Sequence, residues 1–216
     1  MDMNKTYAVF GLGRYGRAVA LELSKGGVEV VAVDIDEEAV NDAADEIPFC
    51  KCADVTDENV LKQLGVRNFD VVIVAMAGNL GGSVMATMLL KQAGVPTVIV
   101  KCADEMQKKI LSKIGADRVL LPETESGTRL AKNLLSSGFI DVIELSKDVS
   151  MVEMEVKNNW IGKSLVELNL RKKHSINVVA ILKKDSVIVD IDPKIPLDGE
   201  MKLIVVANPE KIRNIK

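Results

Sequence analysis

Residues 5–16 read Lys-Thr-Tyr-Ala-Val-Phe-Gly-Leu-Gly-Arg-Tyr-Gly, a short apolar strand pattern followed by glycines at positions 11, 13 and 16. This spacing is typical of a strand that turns sharply into a helix and binds a nucleotide phosphate. Gly11 permits the tight turn, Gly13 lets the backbone approach a phosphate, and Gly16 lets the helix pack closely on the strand. The stretch therefore predicts a nucleotide-binding α/β domain.

Arg14 is the unusual residue of this turn. The free N–H groups and the positive end of the helix dipole already favour an anion, so a pyrophosphate needs no basic side chain here. An arginine presents five donors on a long stem, which suits an additional terminal phosphate, on a neighbouring subunit for example, better than the bridge of a dinucleotide.

The second half of the nucleotide pattern follows one unit later. Residues 28–33 read as the second strand and lead to Asp34, whose carboxylate is placed to accept hydrogen bonds from ribose hydroxyls. A second interpretation is that Asp34 is the N-cap of the helix that begins near Asp36, because aspartate is a preferred capping residue. The sequence leaves both open.

Strand and helix signals alternate with short connections through residue 135, as a doubly wound parallel sheet requires. The six predicted strands include a continuous apolar run at 69–75, typical of a central strand that is buried on both faces. Cys50, Cys52 and Cys102 lack the spacing of a zinc site and are expected to be small core residues. We predict a Rossmann-like α/β domain over 1–138.

The pattern changes after residue 139. Alternating strands are predicted at 150–156, 177–182, 186–190 and 201–206, with a helix near Leu165. This predicts a separate, smaller α+β domain over 139–216. A nicotinamide dehydrogenase normally takes an acid or a base from its second domain, and no such set stands out, so no catalytic residue is assigned. The sole histidine, His174, is expected at the surface.

Composition argues against a nucleic-acid-binding protein and against a membrane-spanning one. The chain has 216 residues, 48% of them hydrophobic, and a net charge of −3, which predicts a globular protein without a basic surface for nucleic acid. No apolar run approaches the roughly 20 residues of a membrane-spanning helix, and residues 1–4 do not resemble a targeting segment. A cytoplasmic location is expected.

Several motifs make the chain similar to a known family. The first domain carries Gly11-Leu-Gly-Arg-Tyr-Gly16, Val33-Asp-Ile-Asp36, Ala53-Asp-Val-Thr-Asp57, Val74-Ala-Met-Ala77, Lys101, Ile114-Gly-Ala-Asp-Arg118 and Pro122-Glu-Thr-Glu125. The second carries Trp160-Ile-Gly-Lys-Ser-Leu165, Leu168-Asn-Leu-Arg171, Val178-Val-Ala-Ile181 and Pro196-Leu-Asp-Gly-Glu200. In this order they resemble the KtrA/TrkA-type subunits of potassium transporters, which pair an RCK N-terminal domain with an RCK C-terminal domain.

The resemblance implies a regulator and not an enzyme. It implies homodimers that assemble into an octameric ring, dock under a membrane-embedded, KtrB/TrkH-like potassium-translocating subunit, and favour conduction with ATP but not with ADP. The positions that it assigns to the nucleotide are Gly11, Gly13, Arg14, Tyr15, Gly16, Asp34, Asp54, Thr56, Ala75, Lys101 and Glu123. Arg14 would reach the γ-phosphate held by the partner subunit.

Two further ligands are implied by the same resemblance. Glu123 matches a position that holds Mg²⁺ or Ca²⁺ between facing nucleotides; the alternative is an acidic residue favoured only by the helix dipole. Some Gram-positive relatives bind cyclic di-AMP in the second domain, at positions that match Leu165, Arg171, Asn177, Val178 and Pro193. His174 and Ser175 stand where relatives usually carry a glycine, so the turn there is expected to differ.

Two features of the sequence fit more than one interpretation. The same glycine turn and Asp34 fit an NAD(H)-dependent oxidoreductase or an NAD(H) sensor. The helix predicted at 123–136 carries Leu130, Leu134 and Leu135 on one stripe, which fits either a dimer contact or packing on its own sheet.

Overall fold

The computed structural model describes residues 5–135, 139–146, 148–184, 186–208 and 211. The chain divides into two compact units, Met1–Thr124 and Glu125–Lys216. This division falls near the start of a long helix, whereas the boundary predicted from the sequence, 138/139, lies beyond its other end. The predicted boundary stays a prediction.

The first unit alternates strands with helices throughout. Its elements are β1 Tyr7–Phe10, α1 Arg14–Lys25, β2 Val30–Asp34, α2 Glu37–Ala44, β3 Cys50–Cys52, α3 Glu58–Gln63, β4 Val71–Val74, α4 Leu80–Ala93, β5 Thr97–Lys101, α5 Glu105–Ile114 and β6 Arg118–Leu120. The helix α6, Pro122–Leu135, follows β6, and the division between the two units falls within its first turn. All six strands are parallel, in the order β3-β2-β1-β4-β5-β6. The prediction of a doubly wound sheet is confirmed.

Apolar side chains cover both faces of this sheet, because successive residues of a strand point to opposite sides. Ala8 and Phe10 of β1 belong to one buried cluster together with Val98. Val9, between them, belongs to a second cluster together with Ile47. The sheet is therefore a buried layer, and its polar functional groups are confined to its edges.

The second unit is an antiparallel sheet with short helices. Its elements are β7 Phe139–Ser146, β8 Val149–Glu155, a 3-10 helix Asn158–Trp160, α7 Leu165–Leu168, α8 Leu170–His174, β9 Asn177–Lys183, β10 Ser186–Ile188 and β11 Met201–Ala207. The strand order is β10-β9-β11-β8-β7, and every neighbouring pair is antiparallel. This confirms the smaller α+β domain, although β7 was not predicted.

The cysteine prediction was partly wrong. Cys102 is fully buried, but Cys52 is exposed and Cys50 is only partly buried. The physical reason is that β3 is an edge strand of the sheet, so its side chains are less covered than those of central strands. No helix in the described parts of the chain is long and apolar enough to span a membrane.

Candidate nucleotide-binding site

The predicted nucleotide residues of the first unit lie along one edge of the parallel sheet. Each strand delivers at least one of them at or just after its carboxyl end: Gly11 after β1, Asp34 in β2, Asp54 after β3, Ala75 after β4, Lys101 in β5 and Glu123 after β6. The chain leaves β1 toward β2 on one side and returns to β4 on the other. Such a switch point opens a crevice at the carboxyl ends of the strands, where ligands bind in α/β sheets.

Two glycines make this turn sterically feasible. Gly11 has a φ of 96°, and a Cβ on it would lie 2.9 Å from Cγ of Met76. A Cβ on Gly16 would lie only 1.8 Å from the carbonyl oxygen of Gly11. No other residue fits at Gly16 without moving α1 away from β1, so the predicted turn and close packing are confirmed. The ligand roles of these residues stay predictions.

Gly13, unlike Gly11 and Gly16, is not required by close packing. A Cβ built on it would meet nothing within 4 Å, so the space over the start of α1 is open. Gly13 is the N-cap of α1, and no side chain caps that helix or places an acid in its first turn. The helices α2 to α5, in contrast, are each capped by a side chain, from Asp36, Asp57, Asn79 and Asp104. The N-terminus of α1 thus keeps its donors available for an external anion.

Asp34 does not cap α2. The N-cap is Asp36, whose side chain accepts a hydrogen bond from the N–H of Glu38, so the capping alternative for Asp34 was wrong. Oδ2 of Asp34 instead accepts from the N–H of Leu12 in the glycine turn, and Oδ1 accepts from the N–H of Asp36. The carboxylate ties β2 to the turn after β1 and keeps spare lone pairs for a ribose hydroxyl. Sequence reasoning missed this bracing role, because it depends on the pairing of β1 with β2.

A charged cluster lies beside the turn. Nζ of Lys101 is 2.6 Å from Oε1 of Glu123 and 5.4 Å from the centroid of the Tyr15 ring. The hydrogen bond from Lys101 is the main reason that the pKa of Glu123 lies below its ordinary value, and the charge of Arg14 also contributes. The structure thus brings together four predicted positions: the ion pair of Lys101 and Glu123, the ring of Tyr15 and the charge of Arg14.

Asp54 and Thr56 form a local turn at the end of β3. Oδ1 of Asp54 accepts from both the N–H and the hydroxyl of Thr56, at 2.9 and 2.6 Å, and the hydroxyl is the main cause of a lowered pKa of Asp54. Ala75 donates its N–H to the carbonyl of Phe10, so its backbone lines the floor below the glycine turn. These contacts brace the segments that follow β3 and β4; the proximity of Asp54 and Thr56 to an adenine stays a prediction.

A divalent cation would have one protein ligand here. Carboxylate oxygen suits Mg²⁺ or Ca²⁺, and Glu123 is 71% exposed. Within the described residues, no three His, Cys, Asp or Glu side chains gather as a metal site. Glu123 therefore fits a cation only if the nucleotide phosphates supply further oxygens, and Lys101 competes for the same carboxylate.

The positions assigned to cyclic di-AMP lie in the second unit. Leu165 begins α7, Arg171 lies in α8, and Asn177 and Val178 begin β9, while the carbonyl of Pro193 accepts from the N–H of Val166. The structure thus brings Pro193 to the start of α7. Arg171 and Asn177 are exposed, which leaves their polar groups accessible to a ligand.

Between these two residues, Ser175 ends α8 with a left-handed φ of 57°. This is a conformation that glycine favours, and Ser175 adopts it with an L side chain. The expected difference from relatives at this turn stays a prediction. His174 is exposed, as expected.

Two family descriptions match the chain: the TrkA-N domain over residues 7–122 and the TrkA-C domain over residues 151–216. Ktr system potassium uptake protein C of Bacillus subtilis is 45% identical over 187 residues, which cover 87% of this chain and 85% of that protein. Ktr system potassium uptake protein A of the same organism is 36% identical over 213 residues, 99% of this chain and 96% of that protein. These names describe potassium uptake proteins and not enzymes, in agreement with the expected absence of catalysis.

The fold is also shared with a solved channel structure. The GsuK channel bound to NAD matches with a TM-score of 0.69 at 15% identity, and the match covers 98% of this chain but only 38% of the channel chain. At this identity the likeness concerns the fold alone. From the two domain matches and the 36–45% identical relatives, we conclude that the chain belongs to the TrkA-N/TrkA-C (RCK) family that includes the Ktr system potassium uptake proteins.

Proposed function

We propose that this chain is the nucleotide-sensing regulatory subunit of a potassium uptake system, activated by ATP and inhibited by ADP. Its support is the relation to Ktr proteins A and C, together with an edge of the sheet suited to a nucleotide. The uncapped N-terminus of α1 and the open space at Gly13 suit the inner phosphates.

The proposed distinction between ATP and ADP rests on the exposed side chain of Arg14. It is the first residue of α1 and is exposed, and within the described residues its side chain makes no hydrogen bond or ion pair. A free guanidinium beside the phosphate turn binds a terminal phosphate that ADP lacks. A ligand shifts a two-state assembly only by its differential contacts, and Arg14 supplies such a contact, to a nucleotide held by the partner subunit.

Lys101 and Glu123 connect the nucleotide to a cation. In the protein alone the ammonium of Lys101 neutralises Glu123. Phosphates bound nearby attract Lys101 and leave the carboxylate to Mg²⁺ or Ca²⁺, which the phosphates help to hold. The cation would then join two nucleotides across a dimer.

The proposed assembly is a homodimer that builds an octameric ring on the cytoplasmic side of a KtrB/TrkH-like membrane subunit. Leu130 and Leu134 of α6 support the dimer, because their side chains are 60% and 77% exposed and form an uncovered apolar stripe. Leu135, the third residue of the predicted stripe, has a side chain outside the described set. Cyclic di-AMP is proposed as a second ligand, at Leu165, Arg171, Asn177, Val178 and Pro193.

The test is calorimetric titration of the full chain with ATP, ADP, NADH and cyclic di-AMP, with molar mass measured by light scattering in each state. We expect ATP and ADP to bind a multi-subunit ring with different affinities. Equal affinity for ATP and ADP would contradict the sensing mechanism. Exclusive binding of NADH to a dimer would favour the NAD(H) sensor.

A further inference from the structure

A cavity of about 340 Å³ lies in the second unit, where the 3-10 helix Asn158–Trp160 meets α7 and α8. Its floor is formed by Trp160, Leu168 and Leu170, and Lys163, Lys173 and His174 lie at its rim. None of the five positions assigned to cyclic di-AMP lines it. The cavity is therefore a separate feature of this unit.

The floor is fixed by the core. Trp160, Leu168 and Leu170 are 5%, 8% and 4% exposed and belong to the buried cluster of the second unit. Side chains that are packed on all other sides keep their rotamers. The cavity thus has a base of packed apolar side chains below a polar rim.

The basic side chains at the rim are exposed to solvent. Lys163, Lys173 and His174 are exposed, and within the described ranges their side chains form no hydrogen bond or ion pair. Glu167 also lines the cavity, but its Oε2 is held by the N–H and the hydroxyl of Ser164 at 2.7 and 2.8 Å in the capping box of α7.

Those two bonds are the main causes of the lowered pKa of Glu167, and the charge of Lys163 contributes less. The Glu167 carboxylate is therefore engaged in the capping box of α7. With two lysines and one carboxylate at the rim, the cavity keeps an excess positive charge.

We propose that this cavity binds the phosphate group of a small phosphorylated molecule. The two ammonium groups donate charge-assisted hydrogen bonds to phosphate oxygens and outweigh the single carboxylate, and the imidazole of His174 adds an N–H donor. The volume is at the small end of ligand sites, which are about 300–1,000 Å³. The occupant is therefore a compact phosphate-bearing group.

The test uses the full chain and inorganic pyrophosphate as the probe. Trp160 is the single tryptophan of the sequence, so its fluorescence reports on this cavity. Pyrophosphate is added at constant ionic strength. We expect a saturable change in fluorescence, with an affinity weakened about tenfold or more in the Lys163→Gln/Lys173→Gln variant, which loses two charge-assisted contacts.

Lys172→Gln is the matched control, because Lys172 is an exposed lysine of α8 that does not line the cavity. It should bind pyrophosphate as the unchanged protein does. The proposal is overturned if the fluorescence of the unchanged protein does not saturate, or if the double variant and Lys172→Gln respond alike. Circular dichroism confirms that each variant is folded.

Discussion

Nζ of Lys101 lies 2.6 Å from Oε1 of Glu123 and joins the last residue of β5 to the first turn of α6. Lys101 is only 14% exposed, whereas Glu123 is 71% exposed. The lysine is thus anchored in the sheet edge, while the carboxylate faces solvent. A ligand that attracts the lysine changes the charge available at Glu123, and our proposed link between phosphate and cation rests on this exchange.

The ion pair of Lys101 with Glu123 should make the stability of the fold depend on pH. The pKa of Glu123 is lowered from its ordinary 4.5, mainly by the hydrogen bond from Lys101. A lowered pKa in the folded state stabilises the fold above pH 4.5, and this contribution is lost as the pH falls through the folded value. In Lys101→Met the pKa of Glu123 should rise toward 4.5, as measured by NMR titration of the carboxyl group. An unchanged pKa would mean that the ion pair does not form in solution.

Removing the carboxylate tests the proposed cation role. In Glu123→Gln we expect Mg²⁺ or Ca²⁺ to strengthen ATP binding at least about fivefold less than in the unchanged protein, because the proposed carboxylate ligand is lost. Titration of ATP with and without the cation measures this coupling. Glu125→Gln, an exposed acid two residues further along α6, should behave as the unchanged protein. Equal coupling in all three proteins would exclude Glu123 as a ligand.

Arg14 should determine nucleotide discrimination. Arg14→Gln is expected to reduce the preference for ATP over ADP about tenfold, because one charge-assisted contact to the terminal phosphate is lost. Arg17→Gln is the matched control on the same helix, since Arg17 is already engaged by Glu46 at 2.8 Å. Titration calorimetry gives both affinities. Equal losses in the two variants would point to a general effect of charge.

Substitutions at Gly13 and Gly16 should affect different properties, nucleotide binding at Gly13 and stability at Gly16. Gly16→Ala places a Cβ 1.8 Å from the Gly11 carbonyl oxygen and should cost about 3 kcal/mol of unfolding free energy. Gly13→Ala meets nothing within 4 Å and should cost less than about 1 kcal/mol. Its methyl group nevertheless fills the space that we assign to a phosphate, so nucleotide affinity should fall. Denaturant unfolding and ATP titration distinguish these effects. If folded Gly13→Ala binds ATP with full affinity, the phosphate does not bind at Gly13.

Ser175 offers a stability test in the second unit. Its φ of 57° is strained for an L-residue and relaxed for glycine. Ser175→Gly should raise the free energy of unfolding by about 0.5–1 kcal/mol, after the greater entropy of the unfolded glycine chain is subtracted. Ser175→Ala keeps the strain and should give no such gain. Thermal unfolding of both variants measures the difference, and a Ser175→Gly variant that is no more stable would show that the left-handed turn carries little strain.

The sequence by itself determined the class of each domain. Glycines at 11, 13 and 16, the apolar run at 69–75 and the alternation through residue 135 predicted the parallel sheet, because local periodicity and turn chemistry are carried by neighbouring residues. The order of motifs along the chain also indicated the family. Helix caps are local in the same way: Asn79 and Asp104 cap α4 and α5, and residues of these types mark helix starts in a sequence.

Only the tertiary structure decided which site residues form hydrogen bonds and ion pairs with one another. The bond from the Leu12 N–H to Asp34 and the pair of Lys101 with Glu123 each join residues more than 20 positions apart. Whether such groups meet depends on strand order and register, which a linear pattern does not specify. The exposure of Cys52 likewise follows from the place of β3 at the edge of the sheet, because burial is set by what packs against a strand.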